Sequence, residues 1–99
     1  MTADRHYFTY ILASGPNGTL YTGVTNDLRR RLAEHEAGKG SKFTRQYGVT
    51  VLVWYEDYED VELAIAREKT IKRWNRDWKK NLIERSNPHW EDLGERFRD

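Results

Sequence analysis

Two short β-type runs around a turn cluster constrain this chain more than any other feature. Tyr7–Ala13 and residues 19–24 are rich in β-branched and aromatic side chains, and Ser14-Gly15-Pro16-Asn17-Gly18 lies between them. An Asn-Gly step inside such a cluster is a strong reversal signal, so the spacing predicts an antiparallel hairpin. In a suitable register the alternation places Tyr10 and Tyr21 on one face. Gly23, inside the second run, leaves the backbone open to close approach by a ligand or another chain; its plainer role is a bulge or strand end.

The rest of the chain reads as helix, strand, helix, helix. Thr25 or Asn26 caps a helix running to about residue 37, with Gly38 and Gly40 just beyond it. Residues 38–48 read as loop, and residues 49–55 alternate as a third strand. Asp60 caps a long helix over about 61–74, a shorter one follows over about 76–85, and Pro88 ends helical structure. The tail from Trp90 is weakly specified. The order ββαβαα predicts a small α/β (α+β) domain, a three-stranded antiparallel sheet flanked by helices. Its 99 residues are one domain's worth, taken as 1–99 with a core over about 7–93.

Some functions are excluded at once. The chain has no cysteine, so disulfide staples, thiolate zinc sites and a cysteine nucleophile are out. No apolar run approaches the ~18 residues of a membrane helix, and the first residues lack a secretory leader's basic-then-apolar order. The expectation is a cytoplasmic protein with no membrane contact. Net charge is +1, but it is unevenly placed: residues 67–85 hold eight Lys/Arg against three Asp/Glu, while 51–66 hold five acidic residues and no Lys or Arg. Basic blocks bind phosphate backbones, and they also serve as plain solvated helix faces.

Helical periodicity puts charge on apolar faces. In the first helix Leu28 and Leu32 are the core pair, and Arg31 and His35 share their stripe while Arg29 and Arg30 face solvent. In the long helix Val61, Ala64 and Ile65 form the predicted buried stripe, extended by Glu68 and Lys72. A carboxylate turned inward costs several kcal/mol of desolvation unless a partner or cation compensates it. Two readings fit: an internal Arg31–Glu68 ion pair with His35 a satisfied half-buried histidine, or a cleft where these groups meet a charged ligand.

Taken together, these segments resemble the GIY-YIG nuclease domain. They are Tyr7-Phe8-Thr9-Tyr10-Ile11-Leu12, Leu20-Tyr21-Thr22-Gly23-Val24 and Asp27-Leu28-Arg29-Arg30-Arg31-Leu32 with His35. The small stand-alone bacterial YhbQ-like group is also similar in Gly40-Ser41-Lys42-Phe43-Thr44, in residues 67–74 and in Asn87-Pro88-His89-Trp90. The likeness covers about residues 7–93. In the first motif Phe8-Thr9 replaces Gly-Ile, and Thr22 is the second motif's central residue.

The resemblance implies a DNA endonuclease that hydrolyses phosphodiester bonds with one divalent metal ion, Mg²⁺ or Mn²⁺, on single-stranded or structured DNA. By position Tyr10, Tyr21, Arg31, His35 and Glu68 match its catalytic residues, with Glu68 as metal ligand. Gly23 matches the second motif's glycine. Asn87, with Asn81 as rival, matches a site asparagine. Tyr10 is the candidate general base; its ordinary pKa near 10 must be lowered by nearby cations, or it acts as substrate arrives. Lys42, Lys72, Arg73 and Arg76 are expected phosphate contacts. Trp74 and Trp78, spaced i, i+4 among them, are either core or base-stacking residues. Specificity comes from the cleft itself or from a protein partner. Two other classes remain: a nucleic-acid-binding module that keeps the fold without cutting, and an interaction domain using the acidic run from Glu56 to Asp60.

Overall fold

The computed structural model describes residues 6–98. The hairpin forms as predicted. Strands β1 (Tyr7–Ala13) and β2 (Leu20–Thr25) pair antiparallel, with Tyr10 opposite Gly23 and Leu12 opposite Tyr21. The Ser14 amide donates to the Thr19 carbonyl, and the Thr19 amide donates back to the Ser14 hydroxyl. Strand β3 (Val51–Tyr58) pairs antiparallel with the other side of β1, giving the sheet order β2-β1-β3. It runs beyond its apolar alternation because Glu56 and Asp57 still pair with Thr9 and Phe8, on an edge strand where charged side chains reach water.

Helix α1 (Leu28–Glu36) starts one residue later than its sequence predicts. Asp27 is the cap, accepting from the Arg30 amide, while the Thr25 hydroxyl bonds the Asp27 backbone. Residues 38–48, predicted as loop, contain a further helix, α2 (Lys42–Tyr47). It is built on a reciprocal cap: the Ser41 hydroxyl accepts from the Thr44 amide, and the Thr44 hydroxyl accepts from the Ser41 amide. Six residues are too few to show an apolar period, so this cap spacing was the available signal. Helix α3 (Val61–Arg73) is capped by Asp60 as predicted, α4 (Arg76–Ser86) follows, and a 3-10 helix (Leu93–Phe97) comes last.

The sheet buries both faces. One side packs Ile11, Val53 and Trp54 against Ile71 of α3 and Leu82 and Ile83 of α4. The other packs Tyr10, Leu12 and Leu52 against Leu28 and Leu32 of α1, with Phe97 at its margin. The buried line of α3 is rotated from the predicted stripe. Ala64 and Ile71 are fully buried, whereas Val61 and Lys72 are exposed. The Thr9 hydroxyl donates to the Ala64 carbonyl at 2.7 Å and fixes that rotation against the sheet.

The stretch after Pro88 is tightly specified. Asn87 is buried, and its amide nitrogen donates to the carbonyls of Val53 and Glu91 while its oxygen accepts from the Glu91 amide. Trp90 enters the core in a left-handed conformation (φ 57°), and its indole N–H donates to Glu84. Asn87-Pro88-His89-Trp90 is therefore a structural plug joining α4 to β3.

Replacing Ile71 with Ala should lower unfolding free energy by about 2–5 kcal/mol through the cavity it leaves. Replacing exposed Val61 with Ala should change it by no more than about 0.5 kcal/mol. Urea denaturation with an unchanged slope checks both; equal losses would contradict the observed face of α3.

Candidate active site

The strand register makes the first half of the site. Tyr10 and Tyr21 share a face, with ring centroids 6.4 Å apart. Opposite Tyr10, a Cβ on Gly23 would lie 2.5 Å from the Tyr10 hydroxyl oxygen. The close approach expected at Gly23 is thus made by the chain's own ring. Helix α1 supplies the second half. Its period turns Arg31 and His35 inward beside Leu28 and Leu32 and leaves Arg29 and Arg30 exposed, as predicted. Gly40 makes room for the histidine: a Cβ there would lie 2.0 Å from His35 Nδ1.

These groups form a directed hydrogen-bond chain. Arg31 only donates, so its Nε–H gives a bond to the Tyr10 oxygen at 3.3 Å. Tyr10 Oη lies 3.3 Å from His35 Nε2, and His35 Nδ1 lies 3.0 Å from Thr44 Oγ1. With the Thr44 hydroxyl donating to the Ser41 carbonyl at 3.1 Å and the Ser41 hydroxyl donating to Thr44 at 3.0 Å, Thr44 accepts from His35 Nδ1–H, and the tautomer is assigned on these bonds. His35 Nε2 then keeps its lone pair and accepts the phenol proton. The order is Arg31, Tyr10, His35, Thr44, Ser41 carbonyl.

Burial dominates the electrostatics. It pushes the Tyr10 phenol up to about 12, against the hydrogen bond and charge of Arg31; the charges of Tyr21 and Glu68 add to the rise. Of the two routes expected for Tyr10, a standing reduction by nearby cations is not found, because one partly exposed guanidinium does not offset removal of the phenolate from water; action as substrate arrives stays open. Burial, then the charge of Arg31, pushes His35 down to about 4. The bond to Tyr10 holds Arg31 above its already high range. The cluster at neutral pH is therefore a phenol, a neutral imidazole and a guanidinium.

The internal Arg31–Glu68 pair does not form. Arg31 Nη1 pairs with Glu34 at 3.0 Å, and Glu68 pairs with Lys72 at 2.7 Å. The Glu68 side chain is 14% exposed, so it is largely but not fully buried. Among the described residues no group of three or more His, Asp or Glu side chains is arranged to hold a metal ion. A single carboxylate suits Mg²⁺ or Mn²⁺, which complete their shells with water and substrate phosphate, and does not suit a structural zinc.

The remaining sequence candidates divide. Lys42 and Arg73 are exposed at the start of α2 and the end of α3. Arg76 instead donates to the carbonyls of Asn17 and Gly18 at 2.7 Å each, tying α4 to the hairpin turn. Asn87 is corrected from a substrate contact to a core residue, because its amide hydrogens and oxygen are already used; Asn81 is exposed on α4. Sequence reasoning gave no role to Thr44, which holds His35, nor to the rings extending outward from Tyr21. Phe43 stacks on Tyr21 at 6.3 Å, and Tyr47 packs on Phe43 at 4.9 Å. The Ser41/Thr44 cap spacing could have revealed both, since it fixes which side of α2 turns inward.

A GIY-YIG catalytic domain model matches residues 6–81. A UPF0213 protein of Haloquadratum walsbyi is 40% identical over 81 residues, covering 82% of this chain and 89% of that protein. A UPF0213 protein of Streptococcus pyogenes is 42% identical over 73 residues, covering 74% of this chain and 77% of that one. The solution NMR structure of a UPF0213 protein from Bacillus halodurans matches with a TM-score of 0.56 at 33% identity, over 88% of this chain and 92% of that chain. The hairpin with its two tyrosines, the arginine–histidine helix and the long helix bearing Glu68 all fall inside the matched span, and the chain belongs to the GIY-YIG catalytic-domain family, alongside the UPF0213 proteins.

Proposed function

We propose that this chain is a divalent-metal-dependent DNA endonuclease in which Tyr10 and His35 act together as the base. The observation that carries the reading is the directed chain from Arg31 through Tyr10 to the open nitrogen of His35. A phenol held near 12 is a poor base by itself at neutral pH. Coupled to His35, whose proton affinity rises once the substrate phosphate offsets the charge of Arg31, it takes a proton from the attacking water as its own proton passes to Nε2. Water becomes the hydroxide that forms the new P–O bond, His35 becomes imidazolium, and the departing sugar oxygen takes a proton from solvent.

Arg31 offsets the charge that develops on the phosphate. Glu68 would hold the ion, which when bound supplies Lewis-acid stabilisation of the phosphoryl and leaving oxygens. Lys72 places a cation beside the same carboxylate, and Lys42 and Arg73 extend the phosphate track. Tyr21 packs edge-on against His35 at 5.6 Å and limits how far the imidazole can turn. The exposed Phe43 and Tyr47 give unpaired bases a stacking surface beside the site, which favours single-stranded or structured DNA. The proposed setting is cytoplasmic, with a protein partner adding specificity; no helix among the described residues is long and apolar enough to cross a membrane. The Lys72–Glu68 pair favours one alternative, a module that binds nucleic acid without cutting it, because the lysine already neutralises the carboxylate.

A cleavage panel of single-stranded, duplex and branched DNA with Mg²⁺, Mn²⁺ or EDTA tests the reading. Cutting should require metal, disappear in Glu68→Gln, and fall by roughly 10²–10⁴ in Tyr10→Phe, with circular dichroism unchanged. Salt-sensitive binding without cutting would support the non-catalytic module.

The depressed His35 also predicts a stability effect. Between about pH 4 and 6.5 the unfolded chain binds a proton at this histidine that the folded chain does not. Stability is therefore present above pH 6.5 and is lost as pH falls towards 4. From pH 7 to 4.5 the native protein should lose roughly 2–3 kcal/mol more than His35→Gln, measured by urea unfolding. Equal losses would show that His35 is not held neutral.

A further inference from the structure

We infer that the elbow between α3 and α4 is a second nucleic-acid contact, a pocket that stacks one unpaired base of a single strand and holds the neighbouring phosphate. Arg67, Trp74, Trp78, Asn81, Leu82 and Arg85 line a cavity of about 360 Å³ there. That lies at the small end of the roughly 300–1,000 Å³ of ordinary ligand sites. It shares no residue with the Tyr10–His35 cluster, and the inference holds whether or not the bound strand is cut.

The walls are rigid and the mouth is aromatic. The Arg67 guanidinium lies over Trp74 at 5.4 Å and over Trp54 at 5.8 Å, and Glu56 pairs with it at 3.2 Å. Trp74, so fixed, packs against the core. Trp78 meets it edge to face at 5.9 Å and 77°, yet remains 56% exposed. Neither expectation for this pair holds alone: Trp74 is half-buried against the core and Trp78 is surface. A large exposed indole beside a formed pocket marks a binding surface.

The polar groups decide the occupant. Asn81 and Arg85 follow Trp78 by three and seven residues on the same side of α4. The Asn81 amide offers a donor and an acceptor side by side, the pattern that reads a base edge, and Arg85 offers a phosphate contact. The surrounding segment is strongly cationic: residues 67–85 hold eight Lys/Arg against Glu68, Asp77 and Glu84, and Glu68 is paired with Lys72. An acidic, planar, heteroaromatic ligand fits this set, whereas a second copy packed by this same face would bring the same positive charge onto it.

Anisotropy of labelled thymidine and uridine homopolymers of about twelve nucleotides, and of a duplex of equal length, tests the pocket in EDTA, where cleavage does not interfere. Trp78→Ala should weaken single-strand binding roughly 10- to 100-fold, Trp78→Phe should keep it within about threefold, and duplex binding should change by less than about twofold. Arg85→Ala should reduce the salt slope by about one. Loss of either homopolymer in Trp78→Ala supports the pocket, and the comparison of the two assigns DNA or RNA. Unchanged binding in folded Trp78→Ala, or an equal loss on duplex and single strand, overturns it. A Trp78→Ala change confined to the sedimentation coefficient overturns it in favour of self-association.

Discussion

The molecule is organised around one buried phenol. Tyr10 sits at the centre of the middle strand, and its hydroxyl is the point where sheet and first helix meet. A phenol taken out of water needs its oxygen and its proton satisfied. Arg31 supplies the donor and His35 the acceptor, so α1 must present both on its sheet-facing side, one turn apart. Gly23 must lack a side chain, because the Tyr10 ring fills the space above it. Packing and chemistry thus make the same demand of four positions.

The same demand reaches α2. His35 is oriented by Thr44, and Thr44 is fixed by the cap it shares with Ser41. This short helix therefore does two things at once. Its inner side sets the proton position on His35, and its outer side carries Phe43 and Tyr47 away from Tyr21 toward solvent. Under the proposed function, a base stacked on those rings would be oriented relative to the Tyr10 oxygen by the same short helix.

Much of this was legible in the sequence, and what was not has physical causes. The hairpin followed from turn chemistry and alternation, and the inward Arg31 and His35 followed from the 3.6-residue period. The first helix's cap slipped by one residue because Thr25, Asn26 and Asp27 can all cap, and only the Asp27 carboxylate reaches the Arg30 amide. Helix α2 was hidden because fewer than two turns carry no readable period. The α3 stripe was misplaced because Val61 fits the apolar spacing, while the Thr9 bond to the Ala64 carbonyl selects a different rotation. The site asparagine could not be placed by pattern, since the role of Asn87 depends on two carbonyls remote from the motif or beyond it. The sign of the Tyr10 shift also lay beyond sequence, because it depends on how far burial outweighs one guanidinium.

The direction of the hydrogen bonds through His35 decides whether Tyr10 can pass its proton on. Nitrogen-15 NMR of the imidazole at pH 7 reads it directly. A neutral ring protonated at Nδ1, with Nε2 bearing the lone pair toward Tyr10, is the predicted result. A ring protonated at Nε2, or an imidazolium at that pH, would contradict it, since Tyr10 would then have no acceptor for its proton.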